Sequence, residues 1–397
     1  MPLSWCGLPQ LSPARRTAFD ALKLVEDGAN STDLLYQRAQ ALSSRDAALA
    51  TELVLGALRR RPQLDYLAGY FSGRNPGSFD LEVRLALHLG IYQMRYLQRI
   101  PPHAAISESV EMVRRANKRS ATGFVNAVLR KVTQEEIRWP DRSVELCMPE
   151  WLLLRWEREF GKETAASIAT SALQAPETFI RVPCAVQPPA EAMPTEFEGC
   201  WLWPKGLPPA GFRVQDIGSQ SIVPHLALEP GHRFLDLCAA PGGKTLQAME
   251  TPIHAIASDR LLVRAREVSS LGVPTLVLDG TRPLPFPAEI FDRILVDAPC
   301  SGTGTLGRNP EIRWRIQPGD LENLHQRQVK LLRNALSCVK RTGRVVYSTC
   351  SLERIENEEV VDEALAGNQT WRCQRTARRL PGREPGDGFF AAVITST

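Results

Sequence analysis

No run of 18 uncharged apolar residues occurs among the 397 positions of this chain, and Arg15 and Arg16 break the N-terminal stretch before it gains the apolar core of a signal peptide. Membrane association and secretion are not expected; a cytoplasmic protein is. C-x-x-C pairs are missing as well, and the nine cysteines, an odd number, are spread over the whole length. Such usage suits neither a disulfide framework nor a structural zinc site, so free thiols and no metal are expected. A strong net charge is also lacking, at +4, but the balance is uneven. Residues 1–140 hold 19 Lys and Arg against 13 Asp and Glu, whereas residues 141–397 hold 29 against 31.

What is present falls into three stretches. Over residues 12–133 apolar positions recur at helical spacing: Phe19, Leu22 and Val25; Leu49, Leu53, Leu55 and Leu58; Leu85, Leu89 and Tyr92. Ile106, Val110 and Val113 form a further stripe, and Phe124, Val125, Val128 and Leu129 the last. Breaks are predicted at Arg61-Pro62, between Gly73 and Gly77, and at Pro101-Pro102, so residues 1–140 are read as a helical bundle. Between the last two stripes Arg114, Arg115, Lys118 and Arg119 form a basic cluster. It suits phosphate contact through counterion release, and equally a solvated helix end.

Residues 141–212 read as a connector, helical over Glu150–Ala172 and then proline-laden from Pro176 to Pro209. Trp201 and Trp203, with Phe197 and Phe212 nearby, are expected to close a small core rather than to stack on bases. From residue 213 to 397 short β-rich runs alternate with helical ones. Strands are predicted at Arg233–Leu237, Ala255–Asp259, Thr275–Asp279, Arg293–Asp297 and Arg344–Ser348, with Gly388–Thr395 as a final edge element and helices at Lys244–Met249, Leu261–Ser270 and Asp320–Lys340. The pattern is α/β with a mainly parallel sheet. Right-handed crossovers gather the strand carboxyl ends on one rim, where such sheets bind ligands.

Chemistry-bearing residues concentrate at those ends. The first is Cys238-Ala239-Ala240-Pro241-Gly242-Gly243-Lys244-Thr245, a small-residue turn that lets a ligand approach the backbone. At this turn the dinucleotide spacing G-x-G-x-x-G is absent, and so is the Walker A spacing before Gly243-Lys244-Thr245. Asp259 and Asp279 close the next two strands, where carboxylates accept from ribose hydroxyls or an adenine amino group. A nucleoside cofactor without pyrophosphate, S-adenosylmethionine, fits this set better than NAD. Asp297 ends the fourth strand; Cys300 follows it in Asp297-Ala298-Pro299-Cys300-Ser301-Gly302-Thr303-Gly304, and Cys350 follows the fifth in Ser348-Thr349-Cys350-Ser351. A thiolate adding to carbon 6 of a pyrimidine raises electron density at carbon 5, which is how a methyl reaches that otherwise weak nucleophile. The residues alone leave open which thiol adds. Cys238, Cys338, Cys147 and Cys184 are read as buried and inert.

Leu237–Thr245, Asp297–Gly304, Arg308-Asn309-Pro310-Glu311, Tyr347–Ser351 and Asp387-Gly388-Phe389-Phe390 together resemble the bacterial 16S ribosomal RNA cytosine-5 methyltransferases of the Sun/Fmu type. Gly123–Arg130 is similar to the helix of their N-terminal NusB-like domain, so the resemblance spans nearly the whole chain. It implies a Rossmann-like methyltransferase domain behind an all-α NusB-like domain and a small α+β connector. It implies further that Cys238, Ala239, Ala240, Pro241, Gly242, Gly243 and Lys244 wrap the methionine part of S-adenosylmethionine, that Asp259, with Arg264, takes the ribose, and that Asp279 takes the adenine. Cys350 is implied as nucleophile, Cys300 as the residue aiding release, and Asp297 with Lys244 as the groups on the base, with Asp297 also placed in the cofactor site. The implied substrate is small-subunit ribosomal RNA, gripped by the helical domain and connector. A monomer that binds neither DNA nor membrane is expected.

Two other readings exist on the same residues. A DNA cytosine methyltransferase would use Cys300 as nucleophile, against the presence of Cys350 and the basic helical segment. An inactive RNA-binding ribosome-assembly or antitermination factor would keep the sheet as scaffold, against the retained glycine turn, three strand-end aspartates and both thiols.

Overall fold

The protein was analysed as a computed structural model that describes residues 11–204, 206 and 208–397. Its chain divides into two compact units: 1–158 with 169–175 and 307–314, and 159–168 with 176–306 and 315–397. Among the described residues no helix is long and apolar enough to cross a membrane.

The first unit is built on helices Pro13–Glu26, Ser31–Ala39, Ser44–Arg59, Arg61–Ser72, Leu81–Tyr96, Pro102–Arg115 and Thr122–Arg130. Proline sets three of the helix starts, where its missing N–H and fixed φ cost nothing: Pro13 opens the first helix, Pro62 sits in the first turn after Arg60, and Pro102 opens the sixth helix. Phe19, Leu22, Leu53, Leu58, Leu85, Leu89, Val113, Val125 and Leu129 are buried in one core, and Leu49, Leu55, Ile106, Val110 and Phe124 pack partly buried against it. Each fully buried Leu or Val contributes about 1.5–3 kcal/mol, so the spacing read in the sequence is the main force holding this bundle. The segment Gly307–Trp314 also belongs to this unit. There Glu311 accepts from the backbone N–H of Ser31 at 2.9 Å and from its hydroxyl at 2.8 Å, satisfying the buried start of the second helix.

The second unit carries two sheets. The smaller comprises β1 (Thr178–Arg181), β2 (Met193–Pro194), β3 (Cys200–Trp203) and β4 (Arg213–Val214), antiparallel in the order β2-β3-β1-β4. Trp203 is buried with Ile180 and Val182, and Trp201 and Phe212 pack against them, so the aromatics of the proline-laden stretch close a core. Ahead of it the helical stretch is broken in two, Glu150–Phe160 and Lys162–Ser171, because Gly161 turns the backbone to φ +82°.

The larger sheet comprises β5 (Arg233–Asp236), β6 (His254–Asp259), β7 (Thr275–Val277), β8 (Phe291–Asp297), β9 (Val339–Thr349), β10 (Trp371–Arg379) and β11 (Phe389–Ser396). Their order is β10-β11-β9-β8-β5-β6-β7, with β5 to β9 parallel and β11 antiparallel to both its neighbours, so the Gly388–Thr395 stretch expected at the edge is instead covered by β10, which pairs along it. The centre is buried on both faces, which is why β8 and β9 read as continuous apolar runs. Leu235, Ile294, Val296, Val345 and Tyr347 face the helix Pro318–Cys338, while Phe234, Leu295 and Val346 face Ile222, Val223 and Leu226. The reversal of strand order at β5 and β8 opens a crevice at their carboxyl ends, the topology of a Rossmann-like methyltransferase domain.

Candidate active site

At the rim the turn after β5 is shaped by backbone. Gly242 adopts φ +101°, and a Cβ there would lie 2.7 Å from Leu271 Cδ1, so only glycine fits. The N–H of Ala239 donates to Ser258 O at 2.9 Å, fixing the turn to β6. Arg264, on the helix Leu262–Ser269, donates to the carbonyl of Ala240 at 3.0 Å, and its Nε stands 3.9 Å from Asp259 Oδ2. One guanidinium thus links the turn to the carboxylate that ends β6. Asp279 lies two residues beyond the end of β7, where its Oδ1 accepts from the N–H of Thr281 at 3.1 Å and from its hydroxyl at 2.7 Å. The Thr281 hydroxyl holds this carboxyl below the ordinary carboxylate range, so it is ionised and keeps Oδ2 for a donor.

Asp297 occupies the centre. Its Oδ2 stands 2.7 Å from Lys244 Nζ, and its Oδ1 accepts from Ser348 Oγ at 2.7 Å. Lys244 also lies over the ring of Phe389, 5.0 Å from its centroid. Burial pulls the lysine down, but attraction to Asp297 outweighs it and holds the ammonium above its usual range. Lys244 is therefore a cation and a donor at neutral pH, not a base.

The two thiols meet beside this pair, with Cys300 Sγ 3.4 Å from Cys350 Sγ. The bond to Cys350, and then burial, pushes the Cys300 thiol well above its ordinary value, so Cys300 keeps its proton; either sulfur can donate in their contact. A backbone clasp braces the loops: Gly304 N–H donates to Cys350 O at 2.8 Å, and Gly388 N–H to Gly304 O at 2.8 Å.

One cavity of about 370 Å³ connects these groups. Cys238, Ala240, Asp259, Arg264, Asp279, Asp297, Cys300 and Cys350 line it, together with Pro299, Arg327 and Leu331. A larger cavity, about 840 Å³, lies in the first unit among Tyr66, Tyr70, Arg84 and Trp314, but it holds no thiol. Gly302–Gly307 spells G-x-G-x-x-G, yet it enters only the short 3-10 turn Thr303–Thr305, so no helix start is offered to a pyrophosphate.

Several placements were not legible from sequence. Asp236 is fully buried; its Oδ2 accepts from Thr245 Oγ1 at 2.7 Å, and its Oδ1 has no partner among the described residues. Burial pushes its carboxyl up to about 7. The signal was an acid inside the apolar run Phe234-Leu235-Asp236-Leu237. Cys338 and Cys147 are buried as expected of inert thiols, and burial pushes Cys147 up to about 11, whereas Cys238 is only partly buried because it lines the cavity. Cys184, by contrast, is exposed, because it sits in the turn after β1 with its sulfur 3.2 Å from Glu198 Oε1. In the first unit Arg114 and Arg115 share Glu111, and Lys118 stands 2.9 Å from Asp80 Oδ2, so the basic cluster is partly neutralised.

Comparison with known proteins bears on both units. Residues 223–395 match the family model described as 16S rRNA methyltransferase RsmB/F, and residues 12–134 match the NusB family. The ribosomal RNA small subunit methyltransferase B of Klebsiella pneumoniae (strain 342) is 31% identical over 94% of this chain and 95% of its own length. That of Escherichia coli O17:K52:H18 is 33% identical over 94% of this chain and 96% of its own. Among solved structures, PH0851 has a TM-score of 0.81 at 21% identity, covering 98% of this chain and all of the other. NSun6 from Pyrococcus horikoshii with SFG has a TM-score of 0.54 at 18% identity, covering 62% and 98%. These last two are likenesses of fold.

Proposed function

The chain belongs to the 16S rRNA methyltransferase RsmB/F family, and from that premise we propose that it methylates carbon 5 of a cytosine in small-subunit ribosomal RNA through a transient bond from Cys350 Sγ to carbon 6. The cofactor is S-adenosylmethionine. The cleft residues suit it: ionised Asp279 and the Asp259–Arg264 pair are acceptors and donor for an adenosine. The glycine turn leaves room for backbone contact. When bound, this cofactor supplies an electrophilic methyl group on a sulfonium.

The chain's own residues do the rest. A cytosine turned out of its stack enters the cavity between Asp297 and the thiols. Asp297, with two lone-pair sites spent on Lys244 and Ser348, keeps the others for the exocyclic amino group of the base. Cys350 donates its electron pair to carbon 6, which makes carbon 5 an enamine carbon able to accept the methyl. When a base removes the carbon 5 proton, the electrons of that carbon–hydrogen bond form the carbon 5–carbon 6 double bond, and the carbon–sulfur bond breaks with its electron pair leaving on the Cys350 sulfur. Cys300, holding its proton 3.4 Å away, donates it to the departing sulfur. Residues 1–140 and 141–212 serve as the RNA-gripping parts, and 213–397 as the catalytic domain.

The observation that carries this reading is the pair of sulfurs 3.4 Å apart in the wall of the cavity that also holds the strand-end carboxylates. The test is methyl transfer to undermethylated small-subunit RNA with mapping of the modified base, run beside denaturing gels of Cys300→Ala and Cys350→Ala. Cys300→Ala should accumulate a covalent RNA complex and Cys350→Ala none. The reverse pattern would make Cys300 the nucleophile, and RNA binding with no methyl incorporation would favour an inactive scaffold.

A further inference from the structure

Cys300 and Cys350 are each followed by a serine, and those two serines converge on one buried carboxylate. Glu356 has no exposed surface. Its Oε2 accepts from the hydroxyls of both Ser301 and Ser351, the latter at 2.5 Å. Its Oε1 accepts from the N–H of Ser301 at 2.8 Å and from Gln328 Nε2 at 3.0 Å. Gln328 Nε2 also donates to Pro299 O at 3.0 Å, so it holds the residue before the first thiol as well. Four donors fill the accepting capacity of a carboxylate, and three of them come from residues bonded directly to the cysteines. Desolvating a carboxylate costs several kcal/mol, and a neutral, well-packed residue would brace a loop as well, so packing alone does not account for an acid here.

We propose that Glu356 is a positioning residue that holds Cys300 and Cys350 at the separation at which one sulfur passes a proton to the other. The proposal rests on the two-thiol reaction above and assigns no contact between Glu356 and substrate. Each serine lies one peptide from its thiol, so a shift of the carboxylate moves both sulfurs. Misplacement of reacting groups by about 1 Å can cost on the order of 100-fold. Release depends on the spacing: as the carbon–sulfur bond breaks, the Cys300 proton passes to the departing Cys350 sulfur, and it passes back to Cys300 before the next attack, regenerating the Cys350 nucleophile.

The test compares full-length wild type, Glu356→Gln, Glu356→Asp, Ser301→Ala and Ser351→Ala, each titrated for cofactor-competent sites. Glutamine keeps the shape but turns an amide N–H₂ toward donors; kcat should fall about 10- to 100-fold while KM for cofactor and RNA stays within about twofold. Glu356→Asp should recover part of the loss. Each serine variant should lose several-fold in the wild-type background and little more in Glu356→Gln, because the shared acceptor is already gone. A kcat unchanged per competent site, or serine and Glu356 effects that simply multiply, would overturn the proposal. Its failure is separable from that of the underlying reading: wild type would still trap RNA covalently in the Cys300→Ala background, whereas loss of that complex would sink the two-thiol reaction itself.

Discussion

Lys244 Nζ and Asp297 Oδ2 stand 2.7 Å apart at the centre of the rim, with the lysine side chain 11% exposed and the aspartate 28%. The pair fixes the carboxylate from one side while Ser348 fixes it from the other, which leaves its free lone pairs pointing in a set direction. Lys244→Met should therefore lower kcat by on the order of 100-fold, and Asp297→Asn by at least as much, comparable to removing one preorganised polar contact. Cofactor affinity measured by calorimetry should change far less for Asp297→Asn than for a change at Asp259. Equal losses in cofactor binding would reassign Asp297 to the cofactor.

Asp236 gives a pH prediction. Its folded-state value, about 7, lies above the 3.8 of an ordinary aspartate. Between those values the folded state holds a proton that the unfolded chain has lost. The stability from Asp236 is thus complete below about 4 and is lost as pH rises through 7. At 1.36 kcal/mol per unit the effect is at most about 4 kcal/mol. Asp236→Asn keeps an oxygen for Thr245 and cannot ionise, so its thermal midpoint should fall less than wild type between pH 5.5 and pH 8. Parallel pH curves would show that Asp236 ionises without penalty.

How far the sequence disclosed this arrangement follows from which residues carry a local signal. The parallel strands β5, β6, β8 and β9 were readable because Ile294, Leu295, Val296, Val345 and Val346 are buried on both faces and leave an unbroken apolar run. β10 was not readable: Trp371-Arg372-Cys373-Gln374-Arg375-Thr376 is an edge strand whose outward side chains meet solvent, so burial imposes no apolar pattern. Glu311 was read with the sheet domain, yet it caps Ser31 across 280 positions of chain. Glu356, in Glu353-Arg354-Ile355-Glu356-Asn357-Glu358, looks like any solvated helix start, because nothing local distinguishes a buried acid from its exposed neighbours.

The cluster Arg114, Arg115, Lys118 and Arg119 should contribute to RNA affinity less than four full charges. Glu111 and Asp80 already answer three of them. Replacing all four by alanine should weaken RNA binding and reduce the slope of log affinity against log salt by about 1 to 2, not the roughly 3 expected of four unpaired contacts to a single strand. A slope identical to wild type across a salt titration would return the cluster to a solvated helix end.

Gly304 tests whether the clasp behind the nucleophile matters for rate. A Cβ added there would lie 2.8 Å from Cys350 O, against backbone that has no room to yield, and would press on Gly388 as well. The loop must then move away from Cys350, losing the Gly304 N–H bond to its carbonyl and widening the gap between the sulfurs. Overpacking of this kind costs about 1–3 kcal/mol of stability. Gly304→Ala should therefore lower the thermal midpoint modestly, but the larger effect should fall on the rate of covalent complex formation at saturating RNA. Gly319, where an added Cβ meets nothing within 4 Å, supplies the control: Gly319→Ala should leave both quantities near wild type. If Gly304→Ala lost stability in the expected range yet formed the adduct at the wild-type rate, the clasp would be a folding feature alone and the placement of Cys350 would depend on the serine and carboxylate contacts instead.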